Sequence, residues 1–153
     1  MREEAILSFL VQPFRTDVRS VTPVLNGVPL IELVSRFEGE QRFQPAGGYG
    51  GLIPEFFNYG SLSSYFLADF GEDSYFRRLR GIYVLGCQCG EVGRWPLIAR
   101  VGSDKKSIIW DLFRQEHRPE RDYSNFGPFI FDVDQYRRAV NNLEQEIAAH
   151  KTS

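Results

Sequence analysis

Apolar and polar positions along the chain change rhythm several times, and each rhythm predicts an element. Residues 5–14, "AILSFLVQPF", are a dense apolar run that suits a buried strand or a short helix. Within 18–38 two apolar runs flank Asn26–Gly27. Both residues tolerate positive φ, so a hairpin with a two-residue turn is predicted. Pro23 and Pro29 cannot donate to a ladder and belong at edges or strand starts. Residues 80–88, "RGIYVLGCQ", predict a buried strand. Residues 95–113 predict a second hairpin, with Ile98, Val101, Ile108 and Trp110 as strand material and Gly102, Ser103, Asp104 and Lys105 at its turn. From residue 132 the period becomes helical. Tyr136, Val140, Leu143 and Ile147 form one stripe, and Asp132 can cap the first turn with Gln135 three positions on. That stripe needs a sheet face to cover.

Two stretches lack a regular period. Residues 39–76 carry a Gly-rich run, "PAGGYGG", and a dense set of aromatics that includes Tyr49, Phe56, Phe57, Tyr59 and Tyr65. Disordered linkers are poor in aromatics, so this is an ordered, irregular insertion lying against the sheet, with a short helix over 62–69. Its glycines lack the Gly-Lys-Ser/Thr ending of a phosphate loop and the spacing of a dinucleotide fingerprint. Residues 114–129 are a polar connection, and the following "NFGPFIF" places Phe126, Phe129 and Phe131 as packing anchors before the helix. The pattern as a whole predicts one α+β domain over 1–153. Its core is a mostly antiparallel sheet of five or six strands with a C-terminal helix and the aromatic-rich insertion.

Composition narrows the function classes. Hydrophobic residues make up 42% and charged residues 25%, which is globular, and the chain is long enough for a core without staples. The net charge of −2 and the lack of a basic stripe disfavour nucleic acid and anionic membranes as partners. Arg77, Arg78 and Arg80 are the densest basic spot and suit a solvated strand approach. No run has the length of a membrane span. The first residues lack a basic start, a long apolar stretch and a small-residue cleavage site, so the expected location is the cytoplasm.

Candidate chemistry gathers in "GCQCGEVGRWP", residues 86–96, which holds both cysteines. In extended chain Cys87 and Cys89 face the same way and could present two sulfurs together. With His117 they are a candidate metal set, completed by Glu91 or water, and zinc is the metal such ligands suit. Cys89 beside Arg94 is equally a candidate nucleophile, with His117 as base, Asp111 or Glu116 to orient it, and Glu91 nearby. Against both stands a plainer alternative. The cysteines are small residues at a crowded strand end, glycines supply unusual dihedrals, and Trp95 packs on top. His117 in turn suits a loop-pinning bond to a backbone carbonyl as well as acid–base work.

The same stretch carries a resemblance. Gly86, Cys87, Cys89, Gly90, Gly93, Trp95, Pro96 and Leu97 are followed by Trp110, Phe113, Gln115, His117 and Arg118. Phe126, Gly127, Pro128, Phe129, Phe131 and Tyr136 complete the series. Over about residues 80 to 140 this resembles an uncharacterised bacterial family with a Gly-Cys-x-Cys-Gly-x-x-Gly-Cys-Trp-Pro-Leu core. The resemblance implies a shared fold and no particular activity. Where that core has its third cysteine, this chain has Arg94, a cation that would repel a divalent ion.

Two functions from different classes follow. The first is a cytoplasmic, non-enzymatic module that binds another protein, without a cofactor, through some of Tyr49, Phe56, Phe57, Tyr59 and Tyr65; its motives are the mild charge, the weak catalytic set and the surplus of aromatics. The second is a small metal- or cysteine-dependent hydrolase using Cys87, Cys89, Glu91 and His117. A homo-oligomer through an unpaired edge strand is compatible with either.

Overall fold

The computed structural model describes residues 3 to 152; Met1, Arg2 and Ser153 lie outside the described residues. Two short strands and a long hairpin start the chain: β1 (Glu4–Ala5), β2 (Leu7–Arg15), β3 (Val18–Leu25) and β4 (Val28–Pro29). Helix α1 (Leu30–Glu40) follows, then β5 (Tyr49–Gly50), α2 (Leu62–Phe66) and α3 (Tyr75–Leu79). The second half holds β6 (Ile82–Cys87), β7 (Leu97–Ser103), β8 (Ser107–Gln115), β9 (Phe129–Asp132) and α4 (Val133–Thr152). Strands pair into a six-stranded sheet of order β1-β9-β8-β7-β6-β5 and a three-stranded sheet of order β2-β3-β4. Only the β1–β9 pair of the larger sheet is parallel. The α+β class, the mostly antiparallel sheet and the C-terminal helix are therefore as the sequence predicts.

The two sheets meet where an isolated bridge joins Val21 to Leu52, each N–H donating to the other's carbonyl at 2.7 and 2.8 Å. That bridge explains Pro23, which lies inside β3 and not at an end. Val21, Pro23 and Leu25 point their backbone groups away from β2, and Leu25 pairs with Val28 while Val21 pairs with Leu52. The missing N–H of Pro23 falls in the gap between those two pairs.

The stretch 18–38 departs from its expected second strand. Asn26 and Gly27 do adopt the positive φ of a tight turn, 53° and 81°. The returning strand, however, ends after two residues, and Leu30–Glu40 is a helix. Leu30, Val34 and Phe37 are buried at helical spacing, so the i, i+4, i+7 pattern outweighs the apolar run. Residues 5–14 are strand, as one of the two readings has it, but split at Ile6, where the chain leaves one sheet for the other. β2 is moreover only half-buried, with Leu10 and Phe14 exposed. Arg77 and Arg78 lie on α3 and not on a strand approach. "FIFD" is β9, a strand that no local pattern announces because its partners are β8 and the distant β1.

Helix α4 behaves as its stripe demands. Asp132 accepts the Gln135 N–H at 3.0 Å, and Tyr136, Val140, Leu143 and Ile147 are buried against β2, β8, β9 and α2. The Tyr136 hydroxyl accepts from Trp110 Nε1 at 3.0 Å and donates to the Phe66 carbonyl, tying helix, sheet and insertion together. Gln135 also reaches the outer edge of β2. Its amide accepts from Leu7 N at 3.0 Å and donates to Leu7 O at 2.7 Å, as a neighbouring strand would.

Candidate functional site

The turn after β6 is tight and closed on itself. The Cys89 N–H points at Cys87 Sγ (3.2 Å), Gly90 N–H donates to the Cys87 carbonyl (3.0 Å), and the Cys89 thiol lies 4.0 Å from the Glu91 carbonyl. Cys87 is half-buried and Cys89 exposed, both as free thiols. Burial, then the hydrogen bond with the Cys89 side chain, pushes the Cys87 thiol up from its usual value. A thiol held protonated is a poor ligand and a poor nucleophile. Glu91 is paired with Arg94 at 2.6 Å, with both side chains well exposed, so neither is aimed at a sulfur.

His117 does reach this turn, but for another purpose. Its Nε2 sits 2.7 Å from the Gly93 carbonyl, an atom that can only accept, so Nε2 carries a proton and donates. Asp111 makes a bidentate pair with Arg100 at 2.8 and 2.9 Å and does not orient the imidazole. Among the described residues no three His, Cys, Asp or Glu side chains converge where they could hold a metal ion. The Cys87, Cys89 and His117 ligand set is thus not assembled, and the Cys89, His117 and Glu91 catalytic set has no base on its sulfur. The histidine pins a loop.

What holds the turn in place is a buried polar network that the sequence does not announce. Glu38, at the end of α1, is 0% exposed. Its Oε1 accepts from the Gly47 N–H at 2.8 Å. Its Oε2 accepts from the hydroxyls of Tyr49 (2.7 Å) and Tyr123 (2.6 Å) and from Arg121 Nη1 (3.3 Å). Buried Gln115 donates to the Tyr49 oxygen at 3.1 Å and accepts the His117 N–H at 3.1 Å. Burial foremost holds both phenols above their usual range, with Tyr123 pushed up to about 12. Trp95 Nε1 donates to the Gly47 carbonyl at 2.8 Å, and the guanidiniums of Arg118 and Arg121 stack on its ring at 5.2 and 5.5 Å. Every polar atom named here is satisfied, and the network fixes the 41–48 loop, β5 and the 114–118 segment to one another.

The aromatic insertion divides accordingly. Tyr49 belongs to the Glu38 network, and Tyr59 and Tyr65 are buried among Phe57, Phe66, Phe70 and Phe76. These three were expected at a binding surface; their rings instead complete a core that the sheets alone do not fill. Phe56 is exposed and Phe57 half-buried, and both face a cleft of about 670 Å³. Phe14, Arg15, Tyr83, Cys89, Glu91, Val92 and Gly93 supply the rest of its lining.

This cleft is assembled from four separate segments. β2 carries a bulge between Pro13 and Arg15, so Phe14 is the extra residue and both Phe14 and Arg15 lean into the cleft where plain alternation would send one away. Phe14 meets Phe56 edge to face at 5.9 Å, and the Arg15 guanidinium lies 4.8 Å over the Phe56 ring. Gly90 makes this closure possible. Its φ is 98°, and a Cβ there would lie 3.0 Å from Phe14 and 3.1 Å from Phe56. Phe57 and Tyr83, edge to face at 5.9 Å, form the inner wall, and the Tyr83 and Tyr75 hydroxyls bond at 2.7 Å. The missed contributors are Phe14, Arg15 and Tyr83. The only sequence signal for them was Pro13, which disturbs a strand edge.

Searched against protein-family models, curated proteins and solved structures, the chain matches none. Among the described residues no helix is long and apolar enough to cross a membrane.

Proposed function

We propose that this chain is a small cytoplasmic, non-enzymatic module that binds another protein through the cleft between β2 and the cysteine turn. The observation that carries the reading is the exposed apolar rim of that cleft. Phe14 and Phe56 are 37% and 39% exposed, directly over a space of about 670 Å³ walled by Phe57 and Tyr83. Large apolar side chains gathered at a concave site are what partner side chains bury against. Of the five aromatics expected at the binding surface, Phe56 and Phe57 line the cleft, Tyr49, Tyr59 and Tyr65 are buried elsewhere, and Phe14 joins the rim, so the class of function is kept on a narrower set of residues. The hydrolase reading draws no support from a turn whose sulfurs contact backbone and each other, and whose histidine is engaged by Gly93.

Panning a random peptide display library over the folded chain tests this. Enriched peptides are expected to bind with Kd on the order of 10 μM, and Phe56→Ser to weaken them at least about tenfold. Phe56 is exposed and lies outside the core cluster, so the variant is expected to keep the fold, which an unchanged urea midpoint would show. Failure to enrich any peptide, or equal binding by Phe56→Ser, removes the reading.

A further inference from the structure

The rim of the cleft is not electrically neutral. Glu91 is neutralised by Arg94 at 2.6 Å. Arg15 has no carboxylate partner among the described residues; it rests on Phe56 at 4.8 Å and approaches Phe14 at 6.0 Å. The bulge in β2 holds this uncompensated cation at the mouth of an apolar cleft, one residue from an exposed ring. A guanidinium stacked on an aromatic face is pre-organised, so a carboxylate that meets it loses little further side-chain freedom. The walls behind it accept a ring or a branched apolar side chain.

Accepting the cleft as the protein-binding site, we infer that its partner presents an acidic peptide segment, in which an aromatic or branched apolar side chain enters between Phe56, Phe57 and Tyr83 while a flanking carboxylate pairs with Arg15. Apolar burial supplies the affinity, and the charge selects the segment. Because Arg15 is exposed, the selection weakens as salt rises.

Terminally blocked heptapeptides built on Asp-Phe-Asp, Lys-Phe-Lys and Asp-Ala-Asp, with phenylacetate alongside, separate the possible outcomes. Binding is followed by the amide NMR signals of Glu91 and Gly93. The Asp-Phe-Asp peptide is expected to bind with Kd on the order of 1 mM or tighter, at least about tenfold better than either other peptide. Arg15→Gln should bring the two phenylalanine peptides to within about threefold, and Arg15→Glu should reverse their order. If both phenylalanine peptides bind alike and Arg15→Gln changes nothing, the acidic preference is wrong while the protein-binding cleft stands. If neither moves those signals at about 5 mM, the cleft is not a peptide site and both conclusions fall. Phenylacetate binding as tightly as the Asp-Phe-Asp peptide would overturn a protein partner in favour of a small aromatic acid.

Discussion

Replacing Glu38 by alanine removes the one carboxylate on which four donors converge: the Gly47 N–H, the hydroxyls of Tyr49 and Tyr123, and Arg121. The Arg121 side chain is only 4% exposed, so the substitution strands a buried cation as well as neutral donors. Taking one partner from a buried ion pair costs about 3–5 kcal/mol, because the remaining charge loses its counter-ion without regaining water; Arg121 would keep the Pro45 carbonyl at 2.7 Å and the rings of Phe43 and Trp95. Each neutral donor left unpaired adds to this, though not additively, since the vacated space admits water. We take about 4 kcal/mol as the expected loss, a large share of the ~5–15 kcal/mol that holds a domain together. With a urea slope of about 2 kcal/mol per molar, the midpoint should fall by about 2 M. Fluorescence of Trp95 and Trp110 reports the transition, as Trp95 donates to Gly47 and Trp110 is buried in the core. Glu38→Gln should lose less, about 1–3 kcal/mol, because its amide oxygen can still serve the Oε2 donors while its NH₂ faces the Gly47 N–H. A loss below about 1 kcal/mol for Glu38→Ala would refute the reasoning. So would an Arg121→Met cost that is the same with and without Glu38, since residues in one network couple.

Three further outcomes follow from the same geometry. The Tyr59 hydroxyl is buried without a hydrogen-bond partner among the described residues, so Tyr59→Phe should stabilise the chain by about 0.5–1.5 kcal/mol in the urea assay. Burial holds Tyr49, Tyr59, Tyr65, Tyr83, Tyr123 and Tyr136 above the usual phenol value. A raised native pKa means the unfolded state loses its protons first, so stability is full below about pH 10 and falls as pH climbs through the native values. Absorbance at 295 nm should therefore rise in one cooperative step with unfolding between about pH 10 and 12, before Tyr123 reaches the value of about 12 at which the folded chain holds it; separate non-cooperative titration of these phenols would contradict it. Iodoacetamide near neutral pH should label exposed Cys89 at least about tenfold faster than Cys87, whose thiol is half-buried and pushed up, as peptide mass mapping would show.

Local pattern made the second half of the chain legible. The β7–β8 hairpin, β6 and α4 each have a period or a turn signal inside one window, and Asp132 caps where a cap is expected. Legibility failed where two local signals competed or where the deciding partner is distant. Leu30–Glu40 follows a hairpin turn and so resembles a returning strand, yet its apolar spacing is helical and α1 wins by burying that face. β9 and β1 stabilise each other across more than 120 residues, which no window sees. Glu38 has the look of a solvent-facing residue near a helix end. Its burial depends on Tyr49, Arg121 and Tyr123 arriving from elsewhere. The cysteine turn drew attention for its residue types, whereas the structure uses it as one wall of a cleft whose other wall is a strand bulge. Among the aromatics, sequence alone could not sort core from rim, because ring content is the same for both.

The position of the cleft also bears on how binding would act on the molecule. Phe14 and Arg15 belong to the three-stranded sheet, Tyr83 and the Cys89–Gly93 turn to the six-stranded sheet, and Phe56 and Phe57 to the segment that follows the Val21–Leu52 bridge. The turn is held from behind by His117 on Gly93 and by Trp95 on Gly47, which reach back to Glu38. The opposite wall has no such backing among the described residues: Phe14 and Arg15 sit at the exposed end of β2, far from Leu7, whose backbone Gln135 covers at the strand's other end. A ligand in the cleft therefore bridges a wall fixed by a buried network and a wall fixed by a hairpin. Its binding free energy must stabilise the junction of the two sheets more than either sheet alone, because only the joined state presents both walls. Protection from hydrogen exchange on binding should accordingly concentrate at Val21 and Leu52, the rung that joins the sheets, and not in β7 or β8, whose ladder is already complete.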